Sequence, residues 1–307
     1  MTTTDLHIGL ALGSGVARGW AHIGALRALE RSGIKPEIVC GTSIGALVGA
    51  TYLAGRLGEL EDWARRLNKL RLSRLFDFQF GRGGLIAGRR IVDTFPQEFR
   101  NQSIEELPAR FACVATELGT GHDVWLQRGN LLDAIRASYA LPGVFSPVRI
   151  DGRWLLDGAL VNPVPVSVCR ALGSRLVIAV NLNADAFGGG MVETEDEIGL
   201  GDGQAAIAGR LNGLPGAAVI RQLFSRRNSD EPSLFSVMAS SLNIVQDRLT
   251  RSRLAGDPPD VTVAPKLGNI GLMEFDRAEE SIAAGEQAVE AALPALKDAM
   301  RRLNGRK

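Results

Sequence analysis

Three short stretches carry residue types that together could perform nucleophilic chemistry. The first is Gly41-Thr42-Ser43-Ile44-Gly45, set inside IVCGTSIGALVGA at 38–50. A G-x-S-x-G pattern between an apolar strand and a small-residue helix holds a serine on a tight turn, as in a nucleophile elbow. Gly41 and Gly45 suit it because side chains beside such a turn would clash. The following helix also aims the positive end of its dipole at the site. Without a base the same residues read as a plain Gly-rich strand-to-helix turn. The second stretch, LGSGVARGWAHIG at 12–24, leads from another strand into a helix through Gly13-Ser14-Gly15. Backbone N–H groups of such a loop can cradle a phosphate or an oxyanion. It is not a P-loop, since no Gly-Lys-Ser/Thr follows, and glycines at 13, 15 and 19 fit a dinucleotide fingerprint poorly.

A serine nucleophile needs a base, and the chain has only 3 histidines, His7, His22 and His122. His22 is the one near the Gly loop, and its place between Ala21 and Ile23 reads as a helix packing position. The third stretch, RWLLDGALVNPVPV at 153–166, puts Asp157 at a strand end before Gly158. In a parallel sheet, strand C-termini gather where ligands bind. A partly desolvated Asp there could have a pKa high enough for a base. On its own, Asp157-Gly158 reads first as a turn former; that reading weakens when all three stretches occur together.

The elements needed to position these residues are legible from periodicity. Leu6–Leu12 is an apolar run fit for a buried strand, and Ala17–Ser32 has helical spacing ended by Gly33. A strand over Glu37–Gly41 and a helix over Ser43–Ala54 complete a βαβα start, which implies a parallel sheet covered by helices. Glu59–Leu70 and Gly88–Phe99 read as helices, with a flexible FGRGGLIAGRR between them. Phe111–Glu117 and Asp123–Gln127 form a hairpin, as do Val148–Ile150 and Trp154–Leu156 around Asp151-Gly152. Helices over Leu131–Tyr139 and Val164–Ala171 and a strand over Leu176–Leu182 follow. From Ala184 to Pro232 the pattern weakens into a Gly-rich, acidic loop. A helix over Leu234–Leu254, a strand over Val261–Val263 and a terminal helix to Leu303, kinked at Pro294 and capped by Asp276 with Glu279, complete the chain.

Composition excludes several classes. At 307 residues, 45% apolar and 22% charged, the chain can bury a sizeable core. A net charge of +1 with no uncompensated basic block argues against nucleic acid as a partner. MTTTDLHIGLALG lacks the regions of a secretory signal, and no apolar run reaches the ~18 residues of a membrane span. Cys40, Cys113 and Cys169 lie inside apolar segments, as reduced thiols of a cytoplasmic protein would. The acidic cluster Glu193–Glu197 has no EF-hand pattern.

In this order the three stretches resemble the patatin-like phospholipase family, closest to its bacterial RssA-type branch, related to neuropathy target esterase. The matching residues are GSGVARGWAHIGAL, GTSIGALVGA and DGALVNPVPV, supported by RGGLIAG, IRASYALPGVFSPV and LGSRLVIAVNL. The resemblance implies a three-layer α/β fold with a mainly parallel sheet and helices on both faces. It implies a catalytic core over 6–183 and an extension over 184–307 packed on the same domain. It implies a serine acyl hydrolase with a Ser-Asp dyad: Ser43 as nucleophile, Asp157 as base, Gly158 and Ala159 beside it. Gly13, Gly15, Val16, Arg18 and Gly19 would form the oxyanion loop, with the N–H groups around Gly15 and Val16 binding the oxyanion and Arg18 supporting the loop. Many members carry a longer glycine run; Ser14 and Val16 interrupt it here, which puts the room for a bulky acyl group in question.

The substrate implied is a lipid carboxylic ester, a phospholipid or lysophospholipid, with an acyl groove beside Leu85 and Ile86 and around Tyr139–Phe145. No cofactor and no metal is implied. The protein would be cytoplasmic, in peripheral contact with the inner membrane face at most; the oligomeric state is left open. Two alternatives stand beside this. An acyltransferase sharing the elbow normally pairs its serine with a histidine far downstream, and this chain has none beyond His122. A regulatory or lipid-binding protein with little turnover would keep the fold without the chemistry.

Overall fold

The computed structural model describes residues 7–68, 71–72, 84–86, 94–185 and 234–304. In chain order the strands are β1 (Ile8–Leu12), β2 (Ile38–Thr42), β3 (Gly84–Ile86), β4 (Arg110–Glu117), β5 (Asp123–Leu126), β6 (Gly143–Phe145), β7 (Val148–Ile150), β8 (Arg153–Asp157), β9 (Leu176–Val180) and β10 (Val261–Val263). The α-helices are α1 (Ala21–Arg31), α2 (Ile44–Leu53), α3 (Leu57–Arg65), α4 (Gln97–Asn101), α5 (Leu131–Ser138), α6 (Val166–Ala171), α7 (Leu234–Gly256) and α8 (Ala278–Asn304).

The main sheet runs β10-β9-β1-β2-β4-β8-β7, with β5 also on β4. The five strands from β10 to β4 are parallel, whereas β5 and β8 run antiparallel to β4, and β7 to β8. Strands β1, β2 and β9 are buried along their whole length, which explains why IGLAL, IVCGT and LVIAV read as apolar runs rather than alternations. Side chains nevertheless divide between the two faces with period two. Leu10, Val39, Phe111 and Ile178 join the core under α1, α2 and α8. Ala11, Cys40, Ala112 and Val177 pack on the opposite face with Val166 and Cys169 of α6. The fold is thus α/β, a mostly parallel sheet with helices on both sides.

One difference from the sequence expectation matters for the site. Asp157 was expected at the C-terminus of a strand in a parallel sheet, but β8 is antiparallel to β4. Along one edge of β4, β2 pairs up to Thr42↔Val114 and β8 begins at the next residue, Ala115↔Asp157. Opposed directions therefore bring the two strand C-termini together head to head. Other differences are local. The helix expected over Ala17–Ser32 is a 3-10 turn at Val16–Trp20 followed by α1. The helix expected over Glu59–Leu70 is Leu57–Arg65, and of Gly88–Phe99 the described part starts at 94, with α4 beginning at Gln97. Within FGRGGLIAGRR, Gly84–Ile86 is a strand pairing in parallel with β6. At the start of α8, Arg277 bridges Glu274 and Glu280 in place of the expected Asp276–Glu279 capping pair. The loop expected over 184–232, with Glu193–Glu197, lies outside the described residues beyond Asp185. All three cysteines are free and buried. No helix among the described residues is long and apolar enough to cross a membrane.

Downstream of residue 233 the chain returns to this core. β10 adds to β9, and α8 crosses α1 at backbone contact. A Cβ on Gly24 would lie 1.9 Å from the Ile282 carbonyl oxygen, and one on Gly285 1.9 Å from that of Ala21. Neither backbone can yield without separating the helices. Gly285→Ala should therefore lose on the order of 3 kcal/mol in urea unfolding. Gly58→Ala, on α3 with only the end of Arg27 nearby, should be neutral or gain about 0.5 kcal/mol.

Candidate active site

Ser43 sits between β2 and α2 with φ 57° and ψ −121°, a conformation that costs an L-residue on the order of 1–3 kcal/mol. The surroundings over-determine it. Its amide donates to Ser138 Oγ at 2.9 Å, and that hydroxyl donates onward to the Val114 carbonyl at 2.6 Å. Thr42 Oγ1 donates to the Asn162 carbonyl at 2.8 Å. Gly45 lets α2 start against β1, since a Cβ there would fall 2.3 Å from the Leu12 carbonyl oxygen. Gly41 faces the backbone of Ala46, and Gly19 faces Ile44, equally without room for a side chain.

Ser43 Oγ donates to Asp157 Oδ2 at 2.7 Å, and both side chains are buried. The other carboxylate oxygen, Oδ1, accepts the Ala159 amide at 2.8 Å, and Thr116 Oγ1 donates to the Asp157 carbonyl at 2.8 Å. Gly158 passes so near β4 that a Cβ would meet the Val114 carbonyl at 2.2 Å. Burial pushes the Asp157 carboxyl from its ordinary 3.8 up to about 7; the bonds from Ala159 and Ser43 pull the other way and only moderate this.

The Gly loop lies against the same space. Val16 lines a groove together with Ser43 and Asp157, whereas Ser14 is buried away from it. Val16 adopts φ 51°, and the amides of Gly15 and Val16 meet no acceptor among the described residues. The remaining loop residues spend their donors on neighbouring backbone, Arg18 among them in the supporting place expected of it. The Gly13 amide donates to the Val180 carbonyl, and the Arg18 amide to that of Gly15. The buried Arg18 side chain donates through Nε to the Ile270 carbonyl at 2.7 Å. His22 is fully buried, its Nε2 donating to the Gly13 carbonyl at 2.7 Å. Burial lowers its pKa to about 4, so it is a neutral brace for the loop. His7 pairs with Glu37 on the surface, and His122 is exposed.

The groove has a volume of about 840 Å³ including its open mouth, and it is almost wholly apolar. Tyr139, Leu141, Val144 and Phe145 line it, as expected for 139–145. The side chains of Leu85 and Ile86 lie outside the described structure. Trp20, Trp63, Met273 and Phe275 also line it, and their spacing in sequence carried no sign of this. Ser138 was missed too, although a signal existed: it is a hydroxyl on the buried stripe of α5 with Leu131, Ala134 and Ile135.

The sequence matches the patatin-like phospholipase family over residues 10–170. The chain belongs to that family. An uncharacterized NTE family protein of Mycobacterium tuberculosis is 33% identical over 331 residues, covering 94% of this chain and 91% of its own. Neuropathy target esterase of Drosophila melanogaster is 34% identical across 59% of this chain and 13% of its own length. Human patatin-like phospholipase domain-containing protein 6 is 31% identical across 58% and 13% respectively. As a patatin-like phospholipase the chain is a carboxylic ester hydrolase whose substrate class is lipid esters.

The raised carboxyl pKa has a consequence for stability. Because folding raises the pKa of Asp157, protonation favours the folded state. That contribution is full below about pH 4 and lost as pH rises through about 7. Asp157→Asn carries no such penalty. Its gain over the wild type should be small near pH 4, grow to on the order of 3 kcal/mol by about pH 7, and then stay level in urea unfolding.

Proposed function

We propose that the chain hydrolyses lipid esters, with phospholipids or lysophospholipids as substrates, through a Ser43–Asp157 dyad and an acyl-enzyme. The 2.7 Å hydrogen bond from Ser43 Oγ to Asp157 Oδ2 carries this reading. Asp157 takes the Ser43 proton as Oγ forms a bond to the ester carbonyl carbon. The resulting oxyanion accepts from the Gly15 and Val16 amides. The ester C–O bond then breaks, and Asp157 passes its proton to the departing alcohol oxygen. In the second half a water gives its proton to Asp157 while its oxygen attacks the acyl carbon. Ser43 leaves with that proton, and a fatty acid is released.

Two features support a carboxylate in the role that histidine usually fills. A carboxyl with a pKa of about 7 is a far better base than an ordinary one, and it still ionises near neutral pH. His22 is held neutral at the Gly13 carbonyl and lies outside the groove lining. The groove accepts the acyl chain, and residues 184–307 are read as an extension of a catalytic core at 6–183.

Ser43→Ala and Asp157→Asn should each lower kcat on p-nitrophenyl esters and a lysophospholipid by about 10³-fold or more while staying folded. Fluorophosphonate labelling should vanish in Ser43→Ala and slow about tenfold in Ser138→Ala, which loses the amide anchor. In the wild type kcat/KM should fall below about pH 7, as the base protonates. Activity surviving in Asp157→Asn would remove the dyad from the mechanism.

A further inference from the structure

Between β10 and α8 lies a segment, Leu267–Arg277, that falls outside the family match at 10–170. Three of its carbonyls receive donors from one short stretch after the Gly loop. Ala17 N donates to Leu272 O at 3.1 Å, Arg18 Nε to Ile270 O at 2.7 Å and Trp20 Nε1 to Phe275 O at 3.2 Å. The segment is itself fixed at both ends. Asp185 Oδ2 accepts the amides of Leu267 and Gly268 at 2.8 and 3.0 Å. At the other end, Arg277 holds Glu274, Glu280 and the Asn269 carbonyl. Beyond it, α8 packs on α1 at close backbone range, Gly24 against Ile282 and Gly285 against Ala21. The strap is therefore tied to the residues that directly follow Gly15 and Val16.

Its side chains reach the groove. Met273 and Phe275 line it together with Ser43, and Phe275 packs edge-on to Trp20, with ring centroids 6.0 Å apart. Trp20 in turn meets Trp63 edge-on at 5.9 Å. A wall of large side chains on a backbone tied down at these points limits what fits beside it, because interiors of this kind yield little to added methylenes.

We infer that the strap Ile270–Phe275 forms the specificity wall of the acyl site, with Met273 and Phe275 setting the length of acyl chain accepted. The inference rests on the proposed dyad only in taking Ser43 as the end of the groove where the ester sits. A shorter side chain at either position opens space that a longer chain can fill, and a short chain gains nothing from it.

The test compares kcat/KM for p-nitrophenyl acetate, butyrate, octanoate and palmitate in the wild type, Phe275→Ala, Phe275→Leu and Met273→Ala. Phe275→Ala should raise the palmitate-to-butyrate ratio by about 10-fold, with Phe275→Leu and Met273→Ala shifting it the same way by less. A merely structural role would lower all four esters in proportion. If the ratios in Phe275→Leu and Met273→Ala match the wild type, the wall assignment is overturned, even where Phe275→Ala fails to fold. Ser43→Ala measured alongside separates the two readings. Its inactivity with unchanged ratios sinks only the wall, whereas its activity sinks the dyad.

Discussion

Strand β4 offers one edge to two strands that approach from opposite ends, and the candidate site exists because they meet there. β2 arrives parallel and stops at Thr42, opposite Val114; β8 arrives antiparallel and stops at Asp157, opposite the adjoining Ala115. Neither can extend without colliding with the other. Both chains must turn away at once, one into α2 and the other into the short turn Gly158–Leu160. The close passage of Gly158 over the Val114 carbonyl, and the Ser138 hydroxyl joining that carbonyl to the Ser43 amide, follow from this crowding. A serine and a carboxylate at two colliding strand ends are held within hydrogen-bond reach by the sheet itself.

The electrostatics follow from the same packing. A carboxylate where a strand ends and the chain turns away would ordinarily be hydrated. Here the turn beyond β8, α5 and the groove wall exclude water, and desolvation outweighs the two hydrogen bonds that favour the charged form. The penalty falls on stability and the benefit on basicity, so a residue that weakens the fold at neutral pH is the one suited to take a proton. His22 shows the converse use of burial: a titratable ring kept neutral so that it can hold the Gly13 carbonyl.

The loop beside the serine is braced from both directions in sequence. His22 and the sheet hold Gly13, while the strap before α8 holds Ala17, Arg18 and Trp20. The amides of Gly15 and Val16 thus lie between neighbours that are hydrogen-bonded on both sides. The residues that shape the groove come from segments as distant as Trp20, Trp63, Tyr139 and Phe275.

The local elements were legible because their causes are local. Buried parallel strands must be apolar runs, so β1, β2 and β9 stood out; the Asp151-Gly152 turn announced β7 and β8; and the spacing of Gly41, Ser43 and Gly45 announced the turn into α2. Its place at a strand end made Asp157 a candidate base, and the family resemblance set that role above the turn former that the residue type alone suggests. What the sequence by itself determined was thus the set of elements and the residues able to do chemistry. Tertiary structure alone decided that β8 opposes β4, that Ser138 anchors the Ser43 amide, that the Gly13 amide belongs to the sheet while those of Gly15 and Val16 do not, and that Met273 and Phe275 line the groove. Each of these is a contact between segments distant in the chain. Strand direction, the partner of an amide and the desolvation of a carboxyl are set by what packs against them, and periodicity within a segment contains no record of its neighbours.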